Sequence, residues 1–149
     1  MVIGIQLMTS FVGASGFSVL FNAPRRMVIP GGLIGMTSWF IHFSFVTNYD
    51  FNPLPATVIA SIVAGLLSII CAQFFKNPVL IFYVSGIIPL VPGGIAYNAM
   101  RHFIEHNYYS GVELSVEVML ISGGIALGLM LSEVVNQIFT RVTKTQHKG

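Results

Sequence analysis

Charge is the scarcest property of this chain. Only 8% of its 149 residues are charged, against about 25% in a soluble domain. So few charges cannot clothe a water-facing surface, and a soluble globular fold is excluded. Asp50 is the only aspartate, which rules out an intramembrane aspartyl pair. Cysteine occurs once, as Cys71 inside an apolar stretch. It can form no intrachain disulfide and reads as a small packed hydrophobe. HExxH, GxSxG, P-loop and CxxC patterns are all missing. Neither enzyme activity nor a cofactor is therefore expected. No basic patch offers a nucleic-acid surface. The start, Met1-Val2-Ile3-Gly4, lacks the basic region that opens a cleavable signal peptide, so the first apolar stretch is expected to be retained.

What the chain has instead is apolar length. Hydrophobic residues make up 54% of it, and the mean hydropathy is +0.81. Crossing ~30 Å of hydrocarbon takes ~20 apolar residues. Five stretches qualify: Val2 to Phe21, Met27 to Val46, Leu54 to Phe75, Val79 to about Tyr97, and Val116 to Phe139. The predicted fold is all-α and polytopic, one transmembrane domain over residues 1–149 in contact with the lipid bilayer. Arg25, Arg26, Lys76, Arg141, Lys144 and Lys148 fall on one side if the five spans alternate. The other side carries Arg101 with Asp50, Glu105 and Glu113. Cytoplasmic loops are enriched in Lys and Arg, which predicts the N-terminus outside and the C-terminus inside.

Local signals agree with these spans. Asn52 ahead of Pro53 and Pro55 predicts a helix start. Ser110-Gly111-Val112-Glu113 fits a capping box before the fifth span, with Glu113 and Glu117 near that helix's positive end. Small residues recur at four-residue spacing: Ser10, Ala14 and Ser18; Ala56, Ala60, Ala64 and Ser68; Gly31 and Gly35; Gly124 and Gly128. Such stripes let helices approach closely in lipid, within this chain or against a second subunit. Phe21-Asn22-Ala23-Pro24 is echoed by Phe75-Lys76-Asn77-Pro78, and Pro30-Gly31-Gly32 by Pro92-Gly93-Gly94. The unequal spacings argue against a true duplication.

The chemistry is expected at an interruption. Pro89-Leu90-Val91-Pro92-Gly93-Gly94 lies inside the fourth span. Proline removes an N–H and clashes with the preceding turn, and glycine loosens the backbone. Val79 to Ile88 gives about 15 Å of helix, enough to reach roughly the bilayer midplane. A second half-helix would start near Gly94, its first N–H groups unpaired and partly positive. A carboxylate suits such an end, with Tyr97 and Asn98 one turn further on. A structural kink satisfied by neighbouring helices is the plainer reading.

Other polar residues offer less. His42 in the second span is either a proton relay or a hydrogen-bonded histidine near the outer end. Glu133 lies about two turns inside the basic end of the fifth span; it either faces a cavity and takes part in coupling, or snorkels or pairs structurally with an arginine. His102 and His106 share a predicted helix face, as do Arg101 and Glu105. Two histidines alone do not make a metal site.

The sequence around these positions resembles the threonine/serine exporter family. Phe21-Asn22-Ala23-Pro24-Arg25 carries part of the likeness, and Asn77-Pro78 another. The most specific part is Ile87-Ile88-Pro89-Leu90-Val91-Pro92-Gly93-Gly94-Ile95-Ala96-Tyr97-Asn98-Ala99-Met100. The closest form is the short second component, equivalent to the C-terminal half of fused exporters. Asn22, Pro24, Pro89, Pro92, Gly93 and Tyr97 match the family pattern, whereas Gly94 and Asn98 occupy variable positions. The resemblance implies proton-driven export of small carboxylates, threonine and serine or a dicarboxylate such as succinate, across a bacterial inner membrane. It also implies a larger partner subunit with a cytosolic hydrolase-like region and about five transmembrane helices of its own. Substrate would meet Pro89, Pro92, Gly93, Gly94, Tyr97 and Asn98, with Asn22, Arg25, His42 and Glu133 as candidates for coupling or gating. A non-transporting scaffold that stabilises a larger partner is the alternative. A homo-oligomeric channel is the third reading.

Overall fold

The computed structural model describes residues 2–48 and 52–146, with side chains over residues 3–47 and 52–139. Asp50 and Lys148 lie outside the described residues, as do the side chains of Arg141 and Lys144. Six helices follow in order: α1 Val2–Leu20, α2 Arg25–Asn48, α3 Pro53–Phe75, α4 Val79–Ile87, α5 Gly93–Ile104 and α6 Tyr108–Gln146. A short 3-10 turn, Ile88–Leu90, joins α4 toward α5. Four helices are long and apolar enough to cross a membrane, and α4 with its turn forms a bent pair with α5 at 56°. A bend of 56° deflects the chain without reversing it, so α4 and α5 read as one interrupted crossing. The fold is the expected all-helical one of about five spans with a broken fourth.

The helix ends explain the echo between Phe21–Pro24 and Phe75–Pro78. Asn22 and Lys76 both adopt the left-handed conformation, at φ 56° and 53°. After α1 the Ala23 amide reaches the Ser18 carbonyl and the Asn22 amide reaches Val19, each at 3.0 Å. After α3 the Asn77 amide reaches the Ala72 carbonyl at 3.1 Å. These are helix-ending turns of one type, each followed by a proline that starts the next helix. His106 makes a third, at φ 61°. The echo is thus shared capping chemistry.

That third cap corrects the reading of 101–113. α5 runs past Tyr97 to Ile104, and His106 lies beyond its end, so His102 and His106 do not share a helix face. Arg101 and Glu105 do pair, at 2.8 Å. α6 begins at Tyr108, where the Asn107 side chain accepts from the Ser110 amide at 3.5 Å. Ser110 and Glu113 therefore lie inside the helix, beyond a capping position. Asn52 does precede α3 as expected, but its side chain makes no capping bond.

The interior is built from small residues. Ala14, Ala56, Ala60 and Ala64 are buried, as are Ser18, Ser38, Ser61, Ser68, Ser85 and Ser132. Phe82 is the largest fully buried side chain. Large apolar residues such as Ile5, Met8, Leu80 and Met119 point outward. This inverts the soluble pattern, because lipid solvates large side chains and rewards close helix approach. The α3–α6 seam shows how. Gly65 faces Ser132, and Gly128 faces Ser61. Each serine hydroxyl donates within its own helix, to the Leu129 and Val58 carbonyls, at 2.7 and 2.8 Å. No hydroxyl is stranded, and glycine leaves room for its oxygen. On the other side Gly32 faces Phe11 and Ser15, and Gly35 faces Ala14, drawing α2 against α1. The predicted stripes thus pack within this chain.

α4 sits against α1, α2 and α3, whereas α5 leans on α6. Leu90 anchors the turn between them by packing with Ala60, Ile121 and Ile125. The loops before α2 and α4 meet at one end, where the Asn77 side-chain Nδ2 donates to Met27 Sδ at 3.8 Å. Arg25, Arg26 and Lys76 accordingly share one end of the bundle.

The seam makes a direct expectation. A side chain at Gly128 would collide with Ser61 and come within 2.9 Å of the Val58 carbonyl, while Gly123 on the same helix faces open space. Gly128→Leu should lower the melting temperature of the purified protein, at a cost of about 1–3 kcal/mol for overpacking. Gly123→Leu should melt like the parent.

Candidate functional site

Among the described residues, the interruption of the fourth span is the one place where the backbone departs from helix inside an apolar segment. Pro89 and Pro92 stand three apart, and each lacks the N–H that would continue the ladder. Pro30, by contrast, lies within a continuous α2. It removes one bond near a helix start, which the helix absorbs. Two missing donors within four residues it does not absorb.

Hydroxyls of neighbouring helices reach the end of α4. Ser38 of α2 donates to the Gly86 carbonyl at 2.7 Å, in the last turn of α4. Ser18 of α1 and Ser85 of α4 share a hydrogen bond of 2.6 Å, both buried. Gly35 lets α2 approach until a Cβ there would lie 3.0 Å from the Ser85 carbonyl. The Val91 amide returns to the Ile88 carbonyl at 3.3 Å. Serines of α1 and α2 thus pack on the last turn of α4.

The α5 side is open. Pro92 is buried, but Gly93, Gly94, Tyr97 and Asn98 are exposed, and Tyr97 is 70% exposed. Added Cβ atoms at Gly93 and Gly94 would meet nothing within 4 Å. The Gly93 amide turns back to the Val91 carbonyl at 2.8 Å. Those of Gly94 and Ile95 lie in the turn where a helix offers no acceptor of its own. The expected half-helix end thus exists, one residue earlier than predicted, with its polar groups facing away from the bundle.

The remaining predicted residues lie apart from this end. Asn22 caps α1, and Arg25 opens α2, both exposed. His42 Nδ1 lies 3.3 Å from Thr57 Oγ1. Thr57 already donates its one proton to the Pro53 carbonyl at 2.8 Å, so the histidine nitrogen is the donor. Its ring packs on Trp39 with centroids 5.6 Å apart. Glu133 accepts from the Tyr83 hydroxyl at 3.0 Å, linking α6 to α4. Among the described residues no group of three or more His, Cys, Asp or Glu could hold a metal.

The sequence reading missed a cleft on the other face of the break. Gln6, Thr9 and Ser10 of α1, Trp39 of α2 and the Ile88–Pro89 turn line a cavity of about 230 Å³. Gln6 Oε1 and Trp39 Nε1, with His102 Nδ1 elsewhere, are buried without a hydrogen-bond partner among the described residues. A buried orphan of this kind costs about 1–3 kcal/mol, so each calls for an explanation. One signal was available. Gln6 is the one side-chain amide in the first predicted span and Trp39 is the only tryptophan, and polar groups within spans mark functional positions.

Comparison with known proteins agrees with this architecture. A family model described as "Threonine/Serine exporter, ThrE" matches residues 6–135. A threonine/serine exporter of Corynebacterium glutamicum is 26% identical over 128 residues, which cover 86% of this chain and 26% of the relative. The chain spans about a quarter of the length of that relative. No solved structure matches it. With the family match running through every helix and across the break, the chain belongs to the threonine/serine exporter family.

Proposed function

We propose that this chain is the smaller part of a secondary exporter for small carboxylates, threonine and serine first, in a bacterial inner membrane. The observation that carries this reading is the exposed start of α5. The Gly94 and Ile95 amides lie at this helix end beside exposed Tyr97 and Asn98, in a segment otherwise apolar enough to span. Lipid cannot hydrogen-bond such groups, so they belong in contact with protein or with a polar path. A helix N-terminus there favours a carboxylate. Tyr97 and Asn98 would orient the rest of the molecule, with Pro89 and Pro92 holding the backbone open.

The exposed face also supports a two-component arrangement. The family relative is much longer than this chain. A larger subunit carrying the first set of spans and a cytosolic region would cover α5 and complete the path. The shared end of Arg25, Arg26 and Lys76 would face the cytoplasm, by the positive-inside bias. The proton gradient would drive export. Glu133 on Tyr83 and His42 on Thr57 are the groups within spans able to carry a proton. Asn22 and Arg25, at the α1–α2 turn, would serve as gate.

Proteoliposomes with and without the larger subunit test this. Saturable flux of labelled threonine or serine is expected only with both chains. Saturable flux of succinate in their place would move the substrate class to dicarboxylates. Saturable flux from this chain alone would remove the partner from the mechanism. No flux in either preparation, with the complex intact, would leave a scaffold role.

The break has its own expectation. Pro92→Ala and Gly93→Leu should each cut export about tenfold or more, equivalent to ~1.4 kcal/mol, at normal membrane abundance. Gly93 has open space around it, so a loss there does not arise from packing within this chain. Wild-type flux in both variants would place the carboxylate elsewhere.

A further inference from the structure

We propose that the basic end of the bundle is a docking surface for the headgroup of an anionic phospholipid. The proposal goes beyond the exporter reading and does not rest on it. Three cations on two turns carry it: Arg25 and Arg26 where α2 begins, and Lys76 where α3 ends. All three are exposed. None has an ion-pair or hydrogen-bond partner among the described residues.

The fold holds the two turns as one platform. Asn77 Nδ2, next to Lys76, donates to Met27 Sδ at 3.8 Å and to the Phe75 carbonyl at 2.8 Å. Beneath the turns Met27 and Phe82 are buried, with Ala23, Phe75 and Val79 packed against them. Residues flanking both turns thus share one apolar cluster, which keeps Lys76 near the two arginines.

Like charges held together repel, and the chain does little to offset this. Both arginines stand in the first turn of α2, where the helix's own partial charge is also positive. The described carboxylates lie elsewhere. Glu105, Glu113 and Glu117 belong to the opposite end, where Glu105 pairs with Arg101. Glu133 follows Ser132, which faces Gly65, ~16 Å back along α3 from Lys76. The countercharge is left to the surroundings.

Those surroundings select the source. The cations emerge among exposed apolar side chains, Leu20, Phe21, Ile29, Phe74 and Leu80. Large apolar residues exposed on spanning helices lie among acyl chains, and arginine and lysine beside them reach the headgroup layer. An anionic phospholipid meets both needs. Its phosphate suits the guanidinium fork, and its chains cover the apolar rim. A free phosphate would meet the cations alone. A zwitterionic phospholipid brings a cation of its own to a surface already positive.

The full chain in detergent micelles, where membrane orientation plays no part, would be titrated with phosphatidylglycerol, phosphatidylcholine or glycerol phosphate. The readouts are melting temperature and, by native mass spectrometry, the molecules retained. Phosphatidylglycerol should raise the melting temperature saturably and stay bound; the other two should do neither at the same concentration. One cation near an anionic lipid surface is worth about fivefold in affinity. Arg26→Gln and Lys76→Gln should therefore each weaken phosphatidylglycerol binding about fivefold, and the double variant about 25-fold. Arg101→Gln, which removes the same charge from the other end, should bind like the parent. Equal retention of phosphatidylcholine, or an equal response to glycerol phosphate, would overturn the proposal. So would parental affinity in the double variant, or as large a loss in Arg101→Gln. Flux enters none of these readouts, so the docking surface and the exporter reading can fail separately.

Discussion

The structure depends on one constraint: hydrocarbon offers no hydrogen-bond partner to a polar group. Much of the bundle answers it. Uninterrupted helices satisfy their own backbones. Serine hydroxyls on α3 and α6 donate within their own helices, and opposing glycines leave room for them. At the break in the fourth span the helix cannot help itself, and Ser38 supplies the donor for the Gly86 carbonyl. Remove the serines and glycines and α4 has no polar support and no room beside α1 and α2.

The same constraint singles out the start of α5. The last turn of α4 is packed by this chain's own serines, while the start of α5 is exposed. Helix-end amides, Tyr97 and Asn98 face outward from a spanning segment. A membrane protein tolerates that only where more protein or a polar path covers it. The polar inventory of the spans is small and placed with care. His42 and Glu133 each have a neutral partner. Gln6 Oε1 and Trp39 Nε1 do not.

The sequence alone determined the fold class, the span order and the break. Hydropathy over some twenty residues is a sum, and a sum survives ignorance of neighbours. Pro89 and Pro92 break the ladder through covalent structure, whatever surrounds them. The small-residue stripes were legible for the same reason, since four-residue spacing fixes one helix face. The cap at 107–113 was not legible, because Asn107 and Ser110 are both good capping residues and only the turn at His106 chose between them. Nor could the stripes name their partners. Whether Gly128 meets Ser61 or another subunit depends on which helices lie side by side.

The site divides along the same line. Sequence located the half-helix end, because a helix start follows from its proline and glycines. The face it presents, outward and away from the bundle, came from tertiary packing of α5 on α6. The cleft was decided entirely by packing. Gln6, Trp39 and Pro89 are more than thirty residues apart from one another in sequence, and they meet because Gly32 and Gly35 draw α2 against α1 while α4 lies against both. Backbone chemistry is local and can be read along the chain; the partners of a side chain belong to the fold.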